Sequence, residues 1–494
     1  MLAFYVILLS ILSSFGLHRL MLAFAYKKSL AHPPKAEDSF SELPAVTIQL
    51  PIYNERAVKE RLIRSVCRID YPKEKLEVQV LDDSTDGSLD ISRKLVSELS
   101  AEGFNIVLIN RTDRKHYKAG ALAHGLKTAT GEFIAVFDAD FVPKPDFLLK
   151  TINFFSDKKI GMVQVRWGYL NRFVSLLTRG QAALLDGHFQ IEHTARNRLN
   201  CFFNFNGTAG IWRKEAIIDA GNWQGDTITE DLDLSYRAQL VGYKFVYLVD
   251  HVAPSELPVA ISAFKSQQHR WTLGSIQVFK KLFWRILLSR CGWRVKLEAF
   301  AHLGANLCYP LLVTIGLVLV PLGMFDEYWS NKLMPLFSVI FFTGGMLSVL
   351  IFYSVAVRHT MKSNYLYAFR EALIGLTLGI GLSLSNTIAV FEGLVGRKVG
   401  FLRTPKFGTD ALTSVKTKKV ERASQWRAWL VVPETLLFTY FLLGLLQNLS
   451  TGRFSTVIFI GFFVLGFGYF SFKGIGSIVG SYQPRQMVPA KRTS

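Results

Sequence analysis

Two aspartates separated by one residue, Asp138 and Asp140, directly follow the apolar run at residues 133–137. Residues i and i+2 of a strand face the same side, so both carboxylates can converge on one cation where the strand ends. A hard divalent ion such as Mg²⁺ or Mn²⁺ prefers oxygen ligands and can bridge a diphosphate. Just upstream, Lys118 in Lys118-Ala119-Gly120 supplies a cation for the same phosphates. The spacing predicts a divalent-cation site for a phosphorylated ligand, with a solvated turn as the structural alternative.

Polar residues also follow two other strand-like runs. The segment Pro51-Ile52-Tyr53-Asn54-Glu55 comes after residues 45–50, and Asp82-Asp83-Ser84 comes after residues 76–81. Open α/β sheets bind their ligands at the carboxyl ends of strands, and a carboxylate such as Asp83 suits hydrogen bonding to a base or ribose. A plain turn at the first segment and a helix N-cap at the second are the structural alternatives.

The segment Thr229-Glu230-Asp231 opens a helix-like stretch. A carboxylate there can act as a general base if it faces a hydroxyl group that must lose its proton. The structural alternative is that Thr229 caps the helix and that the two acids interact favourably with the helix dipole.

A helix-like stretch rich in aromatic and basic residues carries Gln267-Gln268-His269-Arg270-Trp271. Gln267 and Arg270 share a helix face and could both contact a diphosphate, while the flat ring of Trp271 suits a sugar. An interfacial helix with a tryptophan anchor is the alternative, and the two interpretations are compatible.

These segments need a sheet whose strands end at one edge. Between residues 45 and 290, short apolar runs alternate with helix-like segments, which predicts an α/β domain on a mainly parallel sheet. The strand-like runs are residues 45–50, 76–83, 104–110, 132–140 and 244–250.

The composition points to a membrane protein. Of the 494 residues, 50% are hydrophobic, which excludes a disordered chain. The formal charge of +19 suits nucleic acid, an anionic membrane surface or a phosphorylated substrate. The basic residues concentrate in loops beside apolar segments, so we do not expect nucleic-acid binding. The four cysteines form no CxxC pair, which argues against a disulfide framework and a zinc cluster.

Apolar segments flank the α/β region. Residues 2–26 are followed by Lys27-Lys28, which predicts a retained transmembrane helix whose C-terminal end is cytoplasmic. Further apolar segments occupy residues 299–323, 334–357, 371–396, 427–447 and 454–472. A crossing by residues 371–396 would export the basic loop 397–425, so we expect this segment to be interfacial or re-entrant, giving five spans. A sixth span is the alternative.

Taken together, these motifs resemble those of the processive family 2 glycosyltransferases of the cellulose synthase superfamily, above all the cellulose synthase-like A and C types, which are mannan and glucan synthases. The likeness covers residues 45–410 and is strongest at residues 205–213 and 267–271. Asn206 stands where bacterial cellulose synthase has the cysteine of its Phe-Cys-Gly motif. Residues 401–406 resemble the family's FxVTxK gating loop, with Arg403 in place of valine.

The resemblance implies a GT-A glycosyltransferase domain, with a mainly parallel mixed sheet, joined to an α-helical transmembrane bundle. Interfacial helices are expected at residues 171–198 and 259–285. The expected organisation is an N-terminal transmembrane helix (1–28), a cytoplasmic GT-A domain (45–290), a C-terminal transmembrane region (297–475) with the gating-type loop 397–425, and a cytoplasmic tail (476–494).

The resemblance also assigns roles to the residues singled out above. Asp231 is the expected catalytic base, and Asp138 and Asp140 are the expected ligands of Mg²⁺ or Mn²⁺. Trp271, Glu230 and Asn206 are expected to bind the acceptor. Lys406 is a further candidate for contacting phosphates. The residues expected to bind the donor nucleotide are Tyr53, Glu55, Asp83, Lys118, Asp138, Gln267, Arg270 and Thr404.

The expected activity is inverting transfer of hexosyl units from GDP-mannose or UDP-glucose to a growing β-linked glycan, coupled to export of the polymer. The motifs do not distinguish the two donors. The first alternative is a non-processive enzyme that glycosylates ceramide or diacylglycerol, so the acceptor is a glycan or a lipid. The second is a transporter or inactive scaffold, but no Gly-Lys dipeptide of a Walker A loop occurs. We expect a multi-pass protein of the plasma, inner or Golgi membrane, in contact with membrane lipid, and make no prediction of protein partners.

Overall fold

A computed structural model describes residues 2–325, 336, 339, 342–397, 406, 408, 427–454 and 456–482. Its central element is a seven-stranded mixed sheet with the strand order β3-β2-β1-β4-β6-β5-β7. β6 runs antiparallel to both of its neighbours, and the other pairs are parallel. The strands are β1 (Val46–Ile52), β2 (Leu76–Asp82), β3 (Ile106–Ile109), β4 (Phe133–Val136), β5 (Ile160–Tyr169), β6 (Gly210–Arg213) and β7 (Lys244–Ser255).

Helices surround the sheet and continue beyond it. The helices up to residue 287 are α1 (Leu2–Ser29), α2 (Lys59–Val66), α3 (Leu89–Ala101), α4 (Tyr117–Leu126), α5 (Phe147–Thr151), α6 (Leu176–Asp186), α7 (His193–Arg198), α8 (Lys214–Asp219), α9 (Glu230–Leu240) and α10 (Ile261–Leu287). A π-helical turn (Gly187–Glu192) joins α6 to α7. The later helices are α11 (Trp293–Leu303), α12 (Cys308–Phe325), α13 (Ser348–Met361), α14 (Tyr365–Gly381), α15 (Ser383–Val395), α16 (Val431–Ser450) and α17 (Val457–Tyr482).

The sheet is buried on both faces. β4 is accordingly apolar throughout, whereas β1 and β2 alternate apolar residues with polar ones that are also buried. Val46, Ile48 and Leu50 of β1 pack into one core, while Ile134 and Val136 of β4 pack into the core on the opposite face. The five strands expected from sequence are all present. β5 and β6 were not predicted, because β5 is interrupted by polar residues and β6 is only four residues long.

Polar groups inside the sheet have partners. Asp82, at the end of β2, and Lys59 of α2 are both completely buried, and the Lys59 Nζ lies 2.5 Å from the Asp82 Oδ2. The Ser92 hydroxyl donates to the same oxygen at 2.6 Å. Asp82 therefore has a structural role, and the adjacent Asp83 is the aspartate that lines the cleft.

Three described helices are long and apolar enough to cross a membrane: Phe4–Ser29, Ala428–Ser450 and Val457–Val479. Two further pairs of consecutive helices are long and apolar enough only if each pair is taken as one span. Each pair is bent, by 50° between α11 and the helix after it and by 51° between α14 and α15. The second bend lies inside the apolar segment 371–396, between Gly381 and Ser383. Whether that segment crosses the membrane stays a prediction, and part of the predicted span 334–357 lies outside the described residues.

Buried polar contacts join the α/β region to the helices that follow it. Lys265 of α10 lies 2.6 Å from Glu434 of α16, and Arg179 of α6 pairs with Glu371 of α14. Both carboxylates are completely buried, so loss of the basic partner would leave a costly, poorly paired charge. His269 of α10 lies 2.8 Å from Glu392 of α15, and because burial lowers the pKa of His269 to about 4, this contact is a hydrogen bond to a neutral ring. These contacts hold the two regions in one arrangement.

Candidate functional site

A single cleft lies where β1, β2 and β4 end. The three strands are parallel neighbours, so their carboxyl ends meet at one edge, and α9 and α10 form the facing wall. The cleft holds about 1400 Å³ of empty space, including the solvent at its mouth. The predicted residues that line it are Tyr53, Glu55, Asp83, Lys118, Asp138, Asp140, Asn206, Glu230, Asp231, Gln267, Arg270, Trp271 and Lys406. Thr404 lies outside the described residues.

The two aspartates after β4 each contact a lysine. The Lys118 Nζ lies 2.5 Å from the Asp138 Oδ1, and the Lys406 Nζ lies 2.5 Å from the Asp140 Oδ2. Burial raises the pKa of Asp138 above its usual value, although Lys118 opposes that shift. Burial opposes the charge on Lys118, but the surrounding carboxylates, Asp138 first among them, raise the pKa of its ammonium group. The arrangement favours a positive charge between these carboxylates.

The described residues contain no cluster of three or more His, Cys, Asp or Glu side chains that could enclose a metal ion. Two carboxylates are nevertheless enough for Mg²⁺ or Mn²⁺, because these ions keep several positions for water and substrate phosphates. Asp138 and Asp140 supply the hard oxygen ligands, and the ammonium group already beside Asp140 shows that the position accommodates a cation. The residues present therefore fit such an ion.

Short polar contacts organise the end of β1 against the end of β2. The Asn54 backbone nitrogen donates to the Ser84 hydroxyl at 2.8 Å, and the Thr85 backbone nitrogen donates to the Asn54 side-chain Oδ1 at 2.8 Å. Asn54 adopts a φ of +53°, which an asparagine tolerates better than most side chains. These bonds hold the Tyr53 ring at the cleft, where the Arg114 guanidinium lies 3.2 Å from the ring centre.

Asp83 is held by an arginine that sequence analysis did not single out. The Arg111 Nη2 and Nε lie 2.5 Å and 3.1 Å from the Asp83 Oδ2, and both side chains are almost buried. Such a charge-assisted pair fixes the carboxylate's orientation. Arg111 was missed because it follows β3, and only the sheet order brings the end of β3 beside β2.

Glu230 and Asp231 begin α9 and face the cleft. Burial, and then the neighbouring Asp231 charge, raise the pKa of Glu230 to about 7. Burial also raises the pKa of Asp231 to about 6, against the effect of Lys118. Thr229 occupies the N-cap position, as the capping alternative required, but its side chain makes no capping hydrogen bond. A carboxylate with a raised pKa near neutrality is suited to proton transfer.

α10 brings Gln267, Arg270 and Trp271 to the cleft, as the shared helix face predicted. Burial lowers the pKa of Arg270 to about 10, so the guanidinium remains charged at neutral pH. His269, between them, points instead toward Glu392 of α15. The motif thus combines groups that line the cleft with one that packs the helix against its neighbour.

Asn206 is oriented by two histidines. The His193 Nε2 lies 2.6 Å from the Asn206 Oδ1, and the Asn206 Nδ2 lies 2.9 Å from the His188 Nε2. The amide nitrogen must donate, so His188 accepts through Nε2, and His193 donates its Nε2 proton to the amide oxygen. Burial lowers the pKa of His193 well below its usual value, which keeps its ring neutral. The side-chain amide is therefore held in one orientation at the cleft.

Several residues that line the cleft carried no recognisable motif. Trp167 of β5 lines the cleft, and its ring centre lies 4.7 Å from that of Phe189. Glu256, just after β7, also lines the cleft and accepts a hydrogen bond from the Gly408 nitrogen at 3.2 Å. Trp167 belongs to the segment Gln164-Val165-Arg166-Trp167, which is one residue short of the Gln-x-x-Arg-Trp spacing at residues 267–271.

The chain matches known proteins throughout these elements. Residues 44–274 match the family described as "Glycosyltransferase like family 2". The chain is 34% identical to glucomannan 4-beta-mannosyltransferase 1 of Oryza sativa subsp. japonica over 464 residues, which cover 89% of this chain and 84% of the relative. Its match to probable glucomannan 4-beta-mannosyltransferase 6 of the same organism is 43% identical over 255 residues but spans 51% of this chain and less than half, 44%, of that relative.

The fold is also shared with a solved structure, the mannosyltransferase PcManGT from Pyrobaculum calidifontis in complex with GDP-Man and Mn²⁺. The TM-score is 0.53 at 20% identity, covering 72% of this chain and 99% of the other. The mixed sheet is thus that of a GT-A glycosyltransferase. The chain belongs to glycosyltransferase family 2, in the group that contains the glucomannan 4-beta-mannosyltransferases.

Gly207 offers a test of how closely the cleft is packed. Its φ is +80°, and a Cβ there would lie 3.0 Å from the Asp231 Oδ2 and 3.2 Å from the Lys118 Nζ. We expect Gly207→Ala to displace these groups and to lower kcat roughly 10- to 100-fold. Steady-state kinetics of the purified protein measures this.

Gly103→Ala is the matched control, because Gly103 has a similar φ of +83° and nothing within 4 Å of an added Cβ. It carries the same backbone cost without crowding the cleft. Equal losses of activity in the two variants would show that backbone strain, rather than contact with Asp231 and Lys118, causes the effect.

Proposed function

We propose that this protein is a membrane-bound, inverting glycosyltransferase that transfers hexosyl units from a nucleotide-diphospho-sugar to the end of a β-linked glycan. One observation carries this proposal: Lys118 connects the Asp138–Asp140 pair after β4 to the Glu230–Asp231 pair at the start of α9. Its ammonium group donates to Asp138 at 2.5 Å and to the Gly207 carbonyl at 2.8 Å, and Gly207 adjoins Asp231. Groups that suit a diphosphate and a base that suits a hydroxyl therefore face one space.

GDP-mannose is the donor that we favour over UDP-glucose. The relatives named above are glucomannan 4-beta-mannosyltransferases, and the fold neighbour holds GDP-Man. In this proposal the base and ribose lie near Tyr53, Glu55 and Asp83, all at the strand ends of one half of the cleft. The remaining donor contacts are to the diphosphate: Lys118, Gln267, Arg270, Thr404 and Lys406 would contact it directly, and Asp138 would contact it through a bound cation.

Asp138 and Asp140 would hold Mg²⁺ or Mn²⁺, which when bound neutralises charge that develops on the leaving diphosphate. The protein's own cations act on the same charge. Lys118 already contacts Asp138, and Arg270 keeps its charge in the cleft, so both can stabilise a departing phosphate oxygen.

Asp231 acts as the base. Its carboxylate removes the proton from the terminal hydroxyl of the acceptor as that oxygen forms a bond to the anomeric carbon of the donor. The bond between that carbon and the diphosphate oxygen breaks on the opposite side, and its electron pair leaves with the nucleoside diphosphate. One such displacement converts an α-linked donor into a β-linked product.

The acceptor rests on the remaining wall of the cleft. Trp271 offers a flat surface for a sugar ring, and Glu230 and Asn206 offer hydrogen bonds to its hydroxyls. Asn206 keeps a second amide hydrogen and a second lone pair beyond those that the two histidines use. The histidines thus act as positioning residues for an amide that contacts the acceptor.

The apolar helices support a membrane location for this chemistry. We propose a multi-pass protein of the plasma, inner or Golgi membrane with a cytoplasmic cleft. The basic Lys27-Lys28 pair at the end of α1 supports a cytoplasmic C-terminal end for that helix. A glycan made on that side has to cross the membrane, and we propose that the protein also exports it.

A donor panel tests the proposed function. Purified protein with radiolabelled GDP-mannose, GDP-glucose, UDP-glucose and UDP-mannose, each with Mg²⁺ or Mn²⁺, is expected to incorporate mannose from GDP-mannose most rapidly. Product sizing and linkage analysis should show β-linked chains that lengthen with time. A single sugar attached to lipid would contradict polymer synthesis and favour a glycolipid product.

The base is tested by Asp231→Asn, which preserves shape but cannot accept the proton. We expect kcat to fall about 10²- to 10⁴-fold with a smaller change in the KM for donor. In the wild type, kcat should fall as the pH drops through about 6, because the Asp231 carboxylate becomes protonated there. Near wild-type turnover in the variant, or an unchanged acid limb of its pH profile, would contradict this role.

The positioning role of the two histidines is tested by His193→Phe. This substitution keeps a ring among the surrounding aromatic side chains but removes the hydrogen-bond donor to Asn206. We expect the KM for acceptor to rise roughly tenfold, the effect of about one hydrogen bond, with little change for donor. His302→Phe is the control, since it removes a histidine that bonds Tyr236 outside the cleft. Equal effects of both variants on acceptor KM would refute the positioning role.

A further inference from the structure

A groove of about 1100 Å³ lies between α1 and α11 and shares no lining residue with the cleft described above. Apolar side chains dominate its walls: Phe15, Met21 and Phe24 on α1, and Trp293, Leu297 and Leu307 on and after α11. Phe24, Trp293 and Leu297 are each more than half exposed. A continuous apolar surface of this kind marks a place where another apolar molecule binds.

One end of the groove is strongly basic. Lys28, His32, Arg198 and Arg294 line it there. Among the residues that the structure describes, Lys28, Arg198 and Arg294 have no ion-pair partner, and the buried Arg198 Nε has no hydrogen-bond acceptor. The one acid that lines the groove, Glu298, already pairs with Arg196 and contacts the His18 ring. Asp250, which does not line the groove, acts electrostatically on Arg198. The residues that line the rim therefore carry excess positive charge.

The length of the groove fits one leaflet of a bilayer. It follows α1 from Ser14 to Lys28, which at about 1.5 Å per residue is about 21 Å. Half of a hydrocarbon core is roughly 15 Å, so the groove reaches from the head-group region to the middle of the membrane. Its basic end coincides with the end of α1 that the charge pattern places in the cytoplasm, where anionic lipids concentrate.

We propose that this groove binds one anionic phospholipid. Lys28, Arg198 and Arg294 contact the phosphate-bearing head group, and an acyl chain lies along the apolar walls of α1 and α11. A soluble phosphate compound would leave those walls uncovered, and a neutral lipid would leave the three cations without a counter-charge.

The floor of the groove is connected to the acceptor side of the cleft. The His18 Nε2 lies 2.8 Å from Glu298, which also accepts from Arg196 at 2.8 Å. Arg196 and His188 both contact Glu192, at 3.2 Å and 3.1 Å. His188 is one of the two histidines that hold Asn206. A lipid packed over His18 and Glu298 therefore stabilises the same chain of contacts that positions the Asn206 amide.

The test uses full-length protein in nanodiscs of phosphatidylcholine with either photoactivatable phosphatidylglycerol or photoactivatable phosphatidylcholine. Crosslinked peptides are mapped by mass spectrometry. We expect crosslinks on α1 and α11 to be at least roughly tenfold more frequent with the anionic lipid, because three cations face its head group. Millimolar glycerol phosphate should not compete, since it lacks the acyl chain.

The variant that removes the three charges together, Lys28→Gln, Arg198→Gln and Arg294→Gln, should lose this preference. The matched control, Lys94→Gln, Lys127→Gln and Lys158→Gln, removes three exposed lysines of the GT-A domain and should keep it. Thermal unfolding in pure phosphatidylcholine confirms that both variants are folded. Equal crosslinking of both lipids in the wild type, a preference retained by the first variant, or displacement by glycerol phosphate would each overturn the proposal.

Discussion

Repulsion among four carboxylates is the constraint on which the cleft depends. Asp138 and Asp140 follow β4, Glu230 and Asp231 begin α9, and all four face one partly buried space. Four carboxylates can share this space only if cations lie among them, and Lys118 lies between the two pairs. Burial of the same space, with repulsion from neighbouring carboxylates, raises the pKa of Glu230 and Asp231 toward neutrality. Charge compensation and suitability for proton transfer therefore both follow from enclosing these acids in one partly buried cleft.

The GT-A domain does not pack independently of the apolar helices that follow it. Buried carboxylates on α14, α15 and α16 each hold a basic residue of α6 or α10, and α10 is the helix that presents Arg270 and Trp271 to the cleft. Breaking the Lys265–Glu434 pair would leave a buried charge without its partner, which costs about 3–5 kcal/mol. The position of Arg270 and Trp271 in the cleft therefore depends on the contacts of α10 with the helices beyond it.

Much of the cleft was predictable because strand ends are visible in the sequence. Apolar runs that stop at Asp83 and Asp138 identify both the strands and the polar groups after them, and parallel neighbours bring those groups to one edge. The helix face shared by Gln267 and Arg270 was predictable from the helical period alone. The predicted sheet lacked β5 and β6, since four residues of β6 gain their strand conformation only by pairing on both sides.

The sequence by itself determined the class of fold, the acids, lysine and arginine of the cleft, and the presence of apolar helices, because periodicity and residue type are local properties. Only the tertiary structure decided that Arg111 holds Asp83, that His188 and His193 hold Asn206, and that α1 and α11 enclose a basic-rimmed groove. These contacts join residues on separate elements. No local pattern encodes which side chains meet, since that depends on strand order and helix packing across the whole chain.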